Sequence, residues 1–375
     1  MTPLYKFASG NQMVAEGAVH AGCRFFAGYP ITPASGIYKT MIELLPRRGD
    51  VAISAPDEIS ALAYCVGASM RGYKSMTATS GPGWALMIET FQYALMTETP
   101  LVIAMVQRLG PSTGGATQGA QGDIFLSEFA TSGGYTVPIL CPSTPKECFE
   151  LTTLAFAWAE TLRTPVILLS DKEVGMTSER INLAALNPAP IVERNHVPGA
   201  SAAGWKMYGF EKREDVPEFM PVGGEKKVTI TGSAHNKQGE LKKNDKETIE
   251  VLLHLEEKIT ARKDELSIVS ADLQAGAATL LVSYGITART MRETVRTVRR
   301  KGGKVSAMSI QSLFPIPEKA IREACAGVKR IVVAEENLHG QYGILLSSLF
   351  KDKEIVGVNK IGTMITPAEI EAAIV

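Results

Sequence analysis

Residues 51–108 read VAISAPDEISALAYCVGASMRGYKSMTATSGPGWALMIETFQYALMTETPLVIAMVQR, and this stretch decides the fold class. Val51–Ala55, Lys74–Ser80 and Leu101–Arg108 are short runs with strand composition. Between them, Asp57–Gly72 and Trp84–Glu98 predict helices, the first closed by Gly72. The triplet Gly81-Pro82-Gly83 reads as a turn before the second helix. Leu101–Arg108 is an unbroken apolar run, the pattern of a strand buried on both faces. Strand and helix in alternation predict an α/β fold with a mostly parallel sheet and helices on both sides.

The alternation continues outward. Gln12–Gly22 predicts a helix and Arg24–Tyr29 a strand. Downstream, Thr136–Cys141 and Pro165–Asp171 predict strands on either side of a helix over Pro145–Leu162. From about Arg194 to Glu247 Gly, Lys, Glu and Pro dominate and the apolar period fades. Lys226–Lys246 has room for a short hairpin but reads mainly as connection. A charged amphipathic helix is expected over Glu247–Leu266. A second α/β unit then begins, with strands over Ala278–Gly285, Lys304–Ile310 and Arg330–Asn337 and helices over Ala288–Gly303 and Glu318–Gly327. The basic run from Arg296 to Lys304 reads as a solvated face. The expected partition is 1–193, a connecting 194–275, and 276–375.

Composition narrows the function. Lys+Arg and Asp+Glu are both 39, so no net charge draws the chain to nucleic acid or an anionic membrane. The N-terminus lacks a signal-peptide layout, and no apolar run approaches a membrane span. A cytoplasmic setting is expected. The cysteines, Cys23, Cys65, Cys141, Cys148 and Cys325, form no C-x-x-C pair. They read as buried thiols, with no cluster or zinc site expected in this chain. The five histidines are equally dispersed.

In an open α/β sheet, ligands bind beyond the carboxyl ends of the strands. Three stretches sit at such ends. Gly28–Gly36, "GYPITPASG", follows the Arg24–Tyr29 strand. Thr32 is placed to cap the next helix with Pro33 at its first position. The corner is either an ordinary capped turn or a rigid mount that holds a hydroxyl toward a ligand. Asp57 and Glu58 open a helix, where carboxylates favour the dipole whether solvated or functional. The third stretch, Gln107–Asp123, is a long Gly-rich loop, and Arg108 at its start can fork onto a carboxylate. It carries no G-K-[ST], which excludes a P-loop, and no strand–G-x-G-x-x-G–helix unit is present to bind a dinucleotide.

Taken together, "GYPITPASG", "DEISALAYCVGAS", "TATSGPG", "MTETPLVI" and "QRLGPSTG" resemble the alpha subunit of 2-oxoacid:ferredoxin oxidoreductases, most like the 2-oxoglutarate type. "SIQSLFPIP" and "EENLHGQYG" resemble that family's second domain. The resemblance implies a pyrimidine-binding domain of a thiamine-diphosphate enzyme followed by a smaller, transketolase C-terminal-like α/β domain. It implies coenzyme A-dependent oxidative decarboxylation of a 2-oxoacid, best matched by 2-oxoglutarate going to succinyl-CoA and CO2, with electrons passing to ferredoxin. It further implies that thiamine diphosphate is shared with a beta subunit, which would carry the Mg2+ and the [4Fe-4S] cluster. The chain itself has no G-D-G metal motif and no cluster-binding cysteines. An alpha2beta2-type assembly is implied, and any gamma portion is a separate subunit.

The resemblance also assigns roles. Glu58 is implied to hydrogen-bond the cofactor's pyrimidine nitrogen, for which its carboxyl must carry a proton. Thr32 points at substrate, and Arg108 grips the 2-oxoacid carboxylate. Tyr29, Pro30, Ile31 and Gly81 contact the cofactor, and Pro33 shapes the wall. One departure bears on substrate. Where relatives carry an Arg-Trp-Gly-Thr-His-Gly-Asp run, Glu128–Gly134 reads EFATSGG. Pyruvate or a branched-chain 2-oxoacid therefore stays open, as does a non-catalytic assembly subunit of the same fold.

Overall fold

The computed structural model describes residues 4–197, 204–224 and 226–374. Residues 198–203 and 225 of the connecting segment lie outside them. Every residue of Leu101–Gln107 is buried, as the apolar run predicts. Its side chains alternate between two cores. Leu101, Ile103 and Met105 pack with Trp84, Met87 and Phe91. Val102, Ala104 and Val106 pack with Met13, Val14 and Phe156. That double burial is what a central parallel strand requires.

The elements run as follows. β1 (Tyr5–Ser9), α1 (Gly10–His20), β2 (Phe25–Gly28), α2 (Ser35–Arg47) and β3 (Val51–Ser54) come first. Next are α3 (Glu58–Met70), β4 (Ser75–Thr79), α4 (Gly81–Met96), β5 (Leu101–Gln107) and α5 (Ile124–Glu128). β6 (Ile139–Leu140), α6 (Pro145–Leu162), β7 (Pro165–Asp171), α7 (Lys172–Met176) and β8 (Ser178–Asn182) follow. After the connection come α8 (Lys246–Thr260), β9 (Val269–Asp272), β10 (Thr279–Ser283), α9 (Thr287–Arg300) and β11 (Ser306–Ile310). The chain closes with β12 (Ser312–Phe314), α10 (Glu318–Ala324), β13 (Arg330–Glu335), α11 (Gln341–Leu349), β14 (Glu354–Asn359) and α12 (Pro367–Glu371).

The first sheet has the order β12-β6-β7-β5-β4-β2-β3. All its pairings are parallel except β12 on β6. α1, α2 and α6 cover one face, and α3 and α4 the other. The second sheet, β14-β13-β10-β11-β9, is parallel apart from β9. Its Leu280 and Val282, with Tyr284 just after β10, join the core of the α4 face, so apolar packing is continuous between the sheets. β1 and β8 form a separate antiparallel pair.

A buried charge cluster fastens the connecting segment. Glu98 accepts from Lys258 Nζ at 2.6 Å and from His254 Nε2 at 3.1 Å. Burial opposes its ionisation, but Lys258, the hydrogen bond from His254 and Arg163 outweigh it and hold Glu98 well below the usual carboxylate range. Arg163 Nη1 also donates to the carbonyls of Met207, Pro217 and Glu218. On α9, Arg299 and Arg300 pair with Asp272 and Glu293 on the surface.

Two local expectations are corrected. Gly81-Pro82-Gly83 is not a turn before α4 but its first turn, with Pro82 in an initial position where its missing N–H costs nothing. Thr32 does not cap α2. That helix starts at Ser35, Ala34 precedes it, and no side chain caps it. The carbonyls of Thr32 and Pro33 are instead held by Arg108 Nη1 at 2.5 Å and Asn11 Nδ2 at 2.8 Å. Those long-range bonds draw out an extra turn before the helix begins.

Candidate active site

The site lies where the strand order reverses. β2 leads outward to β3, and the chain then returns to β4 on the other side of β2. β2 and β4 pair only at Phe25–Ser75 and Phe26–Met76. Beyond those residues they separate, which opens a crevice at their carboxyl ends, the place where α/β sheets bind ligands.

Asp57 and Glu58 divide the labour at the start of α3. Asp57 is the cap and accepts from Ser60 N at 2.7 Å, a bond that holds its carboxyl below the usual range. Glu58 is turned inward and only 6% exposed. It is therefore no solvated first-turn acid. Its seat is built by glycine. A Cβ at Gly83 would stand 2.2 Å from Thr79 Oγ1 and 2.6 Å from both Cγ and Oε1 of Glu58. A Cβ at Gly81 would stand 2.8 Å from Oδ1 of Asp123. The first turn of α4 thus runs between two carboxyl groups and carries no side chain toward either.

Asp123 links this turn to Arg108. Burial pushes its carboxyl up to about 7, against the pull of the Arg108 guanidinium. Arg108, itself buried, spends Nη1 on the Thr32 carbonyl. Its Nε has no partner among the described residues, nor do Ser80 Oγ, Gln107 Nε2 and Asp123 Oδ2. Buried polar atoms are normally hydrogen-bonded. Three of these unpaired atoms lie at the ends of β4 and β5, where the sheet opens, and Asp123 joins them from the start of α5 through its N–H bond to Gln107 Oε1; together they mark a candidate site for a polar ligand. The structure therefore links Thr32, Arg108, Asp123, Gly81, Gly83 and Glu58 through successive neighbours. Tyr29, at 40% exposure, and Pro30 are exposed on the rim, and Ile31 is partly buried.

Arg108, Gly81 and Asp123 also line a cavity of about 480 Å³, whose far wall is Glu336–His339 and Ile361 beyond the second sheet. Thr32 and Glu58 are outside its lining. The Gly-rich loop is stitched to that far wall. Gln121 N donates to Glu336 O at 2.7 Å, and its side chain bonds Asp171, Tyr284 O, Thr287 and Glu336 N. Sequence reasoning passed over Asp123, Gln121 and the 336–339 wall. Asp123 stood at the end of the Gly-rich stretch, but only tertiary packing shows its burial. Among the described residues, no group of three or more His, Cys, Asp or Glu is placed to hold a metal ion, and all five cysteines are free and buried. No described helix is long and apolar enough to cross a membrane.

Residues 16–254 match the family described as pyruvate flavodoxin/ferredoxin oxidoreductase, thiamine diphosphate-binding. The chain belongs to this family. Residues 277–366 match the core domain II of pyruvate:ferredoxin oxidoreductase. Among oxidoreductase relatives, the chain is 38% identical to the 2-oxoglutarate synthase subunit KorA of Methanocaldococcus jannaschii, over 98% of this chain and 99% of that one. It is 31% identical to the ketoisovalerate oxidoreductase subunit VorB of Methanothermobacter thermautotrophicus, over 95% and 93%. In structure it resembles the 2-oxoglutarate:ferredoxin oxidoreductase of Magnetococcus marinus, solved with 2-oxoglutarate, coenzyme A and succinyl-CoA bound. The TM-score is 0.89 at 29% identity, covering 98% of this chain and 64% of that one. The crevice, the glycine-built seat and Arg108 all lie within the span matched by the thiamine diphosphate-binding family.

Two substitutions test the site's construction. Gly83→Ala places a methyl group against Thr79 and Glu58, and is expected to destabilise the fold by about 1–3 kcal/mol, as overpacking does. Gly67→Ala, in α3 with nothing within 4 Å, is expected to be neutral or stabilising. Thermal unfolding of both variants checks this, and equal effects would refute the close seat. Asp123 gives a pH test. Its folded-state pKa is raised from 3.8 to about 7, so the folded chain keeps a proton that the unfolded chain releases in that window. Stability from this group therefore falls as pH rises from about 4 to 7. Asp123→Asn is expected to raise Tm by a few degrees at pH 8 and far less near pH 4. A pH-independent difference would contradict the raised value.

Proposed function

We propose that this chain is the alpha subunit of a 2-oxoglutarate:ferredoxin oxidoreductase and works with a beta subunit. The observation that carries the reading is the buried Glu58, seated against Gly83 where β2 and β4 part, with Arg108 fixed to the Thr32 corner beside it. Its identity to KorA over nearly the full length supports 2-oxoglutarate as substrate. Thiamine diphosphate, when bound, supplies the carbanion-stabilising chemistry of decarboxylation. Glu58 presents its carboxyl to the pyrimidine, and Tyr29, Pro30, Ile31 and Gly81 form the protein wall on that side. The glycine seat and the unpaired Ser80 hydroxyl suit a flat, polar ring. With Nη1 committed to Thr32, Arg108 keeps its Nε–Nη2 edge for a carboxylate, the geometry of a two-point grip. Thr32 orients the same end of the substrate.

In this reading residues 1–193 are the pyrimidine-binding unit, 194–275 the connection and 276–375 the second unit. The beta subunit brings the diphosphate site, Mg2+ and the [4Fe-4S] cluster. Coenzyme A takes the acyl group, ferredoxin takes the electrons, and the complex is an alpha2beta2-type cytoplasmic assembly, with gamma as a separate chain. The test is co-purification with the beta chain, then assay of 2-oxoglutarate, pyruvate and 2-oxoisovalerate with coenzyme A and a viologen dye. Coenzyme A-dependent dye reduction led by 2-oxoglutarate is expected. Preference for 2-oxoisovalerate would move the assignment toward the VorB type, and tight thiamine diphosphate binding by this chain alone would contradict a shared site.

A further inference from the structure

The substrate reading leaves a gap, because 2-oxoglutarate has a second carboxylate and Arg108 can serve only one. Glu128–Gly134 does not meet the need. None of these residues lines the cavity that holds Arg108. Phe129 is 62% exposed, and Glu128 is pushed up to about 7 by burial and by the nearby Glu256. The cavity wall offers few other donors. Asn337 Nδ2 is spent on Gln121 O and Glu335, and Gln341 Nε2 gives one of its two N–H groups to Gly122 O. Setting aside Arg108 and the two acids Asp123 and Glu336, only Ser112 and His339 have lining side chains with donors and no hydrogen-bond partner among the described residues. Of these two, only the imidazole can carry positive charge.

We infer that His339 binds the distal carboxylate of the 2-oxoacid, so that a residue of the second unit sets the preference for a dicarboxylate. This rests on the proposed function above. Arg108 and His339 stand on one cavity whose volume lies within the about 300–1,000 Å³ typical of small-molecule sites. Much of the remaining lining is apolar, including Leu109, Leu126 and Ile361, as suits a methylene chain between two charged ends. The acids that share the cavity, Asp123 and Glu336, are both pushed up to about 7 by burial, which softens their repulsion of a dianion.

The test uses the reconstituted complex and two substrates of equal length, 2-oxoglutarate and 2-oxovalerate. His339→Leu is expected to lower the ratio of their kcat/KM values by tenfold or more, and His339→Arg to keep the ratio at or above wild type. As a binding readout, the competitive inhibition constant of glutarate should rise at least tenfold in His339→Leu relative to that of valerate. His339 is exposed, so both variants should fold, and unchanged thermal unfolding verifies this. An unchanged substrate ratio, or a change confined to the KM of coenzyme A, overturns the assignment. A wild-type complex that prefers 2-oxovalerate overturns the substrate reading and this assignment with it, whereas one that prefers 2-oxoglutarate while His339→Leu leaves the ratio unchanged overturns only the assignment.

Discussion

In the assembled complex, Glu58→Gln is expected to lower 2-oxoglutarate-dependent dye reduction by about 10²–10⁴-fold, the range spanned by positioned acid–base groups. The variant is informative because of the seat. Gln has nearly the same shape as Glu, and the space between Thr79 and Gly83 that admits the carboxyl admits the carboxamide. α3 should start as before, since its cap is Asp57. An amide can still offer an N–H to a ring nitrogen but cannot exchange a proton there. Thermal unfolding and thiamine diphosphate affinity should therefore change little while turnover collapses. If turnover holds, Glu58 leaves the mechanism. If turnover, affinity and stability all fall together, its part is structural.

Parts of this candidate site are legible in the sequence alone, for definite reasons. A strand buried on both faces favours an apolar run, so Leu101–Val106 declared itself. Arg108 follows β5 directly, and a charge at the end of such a strand has few destinations. Glu58 was visible as a first-turn acid, and the apolar helix after it suited a buried setting, but the packing that buries it was not visible, because that depends on Gly83 in another helix. Gly81-Pro82-Gly83 misled for a related reason. Glycine usually signals a turn because it is a poor helix former. Here the glycines begin a helix because any side chain would strike Glu58, Thr79 or Asp123. Thr32-Pro33 has the local pattern of a helix start, yet Asn11 and Arg108, both distant in sequence, take its carbonyls. β12 has three residues and joins the first sheet beside β6. No local pattern foretells that pairing, nor the far wall at Glu336–His339, which exists only once both sheets share a core.

Arg108→Ala carries the second large effect, expected at the 2-oxoacid and not at coenzyme A. A hydrogen bond to a charged group is worth about 1.5–3 kcal/mol. Losing both bonds of the Nε–Nη2 edge should lower kcat/KM for 2-oxoglutarate by about 10²-fold or more, at tenfold per 1.4 kcal/mol. The variant also strands the Thr32 carbonyl and removes the cation that faces Asp123, so a pure loss of grip must be separated from a collapse of the corner. Arg108→Lys separates them. It restores positive charge near Asp123 but not the planar fork, so substrate affinity should return only in part. Added guanidinium should rescue Arg108→Ala if the corner has kept its shape. Because His339 is assigned to the opposite carboxylate, Arg108→Ala should weaken 2-oxovalerate and 2-oxoglutarate alike and leave their ratio near wild type, while His339→Leu moves that ratio. Were Arg108→Ala to change the ratio and spare kcat/KM for 2-oxovalerate, the two ends of the substrate would have to be exchanged. An unchanged kcat/KM for both substrates would remove Arg108 from the site.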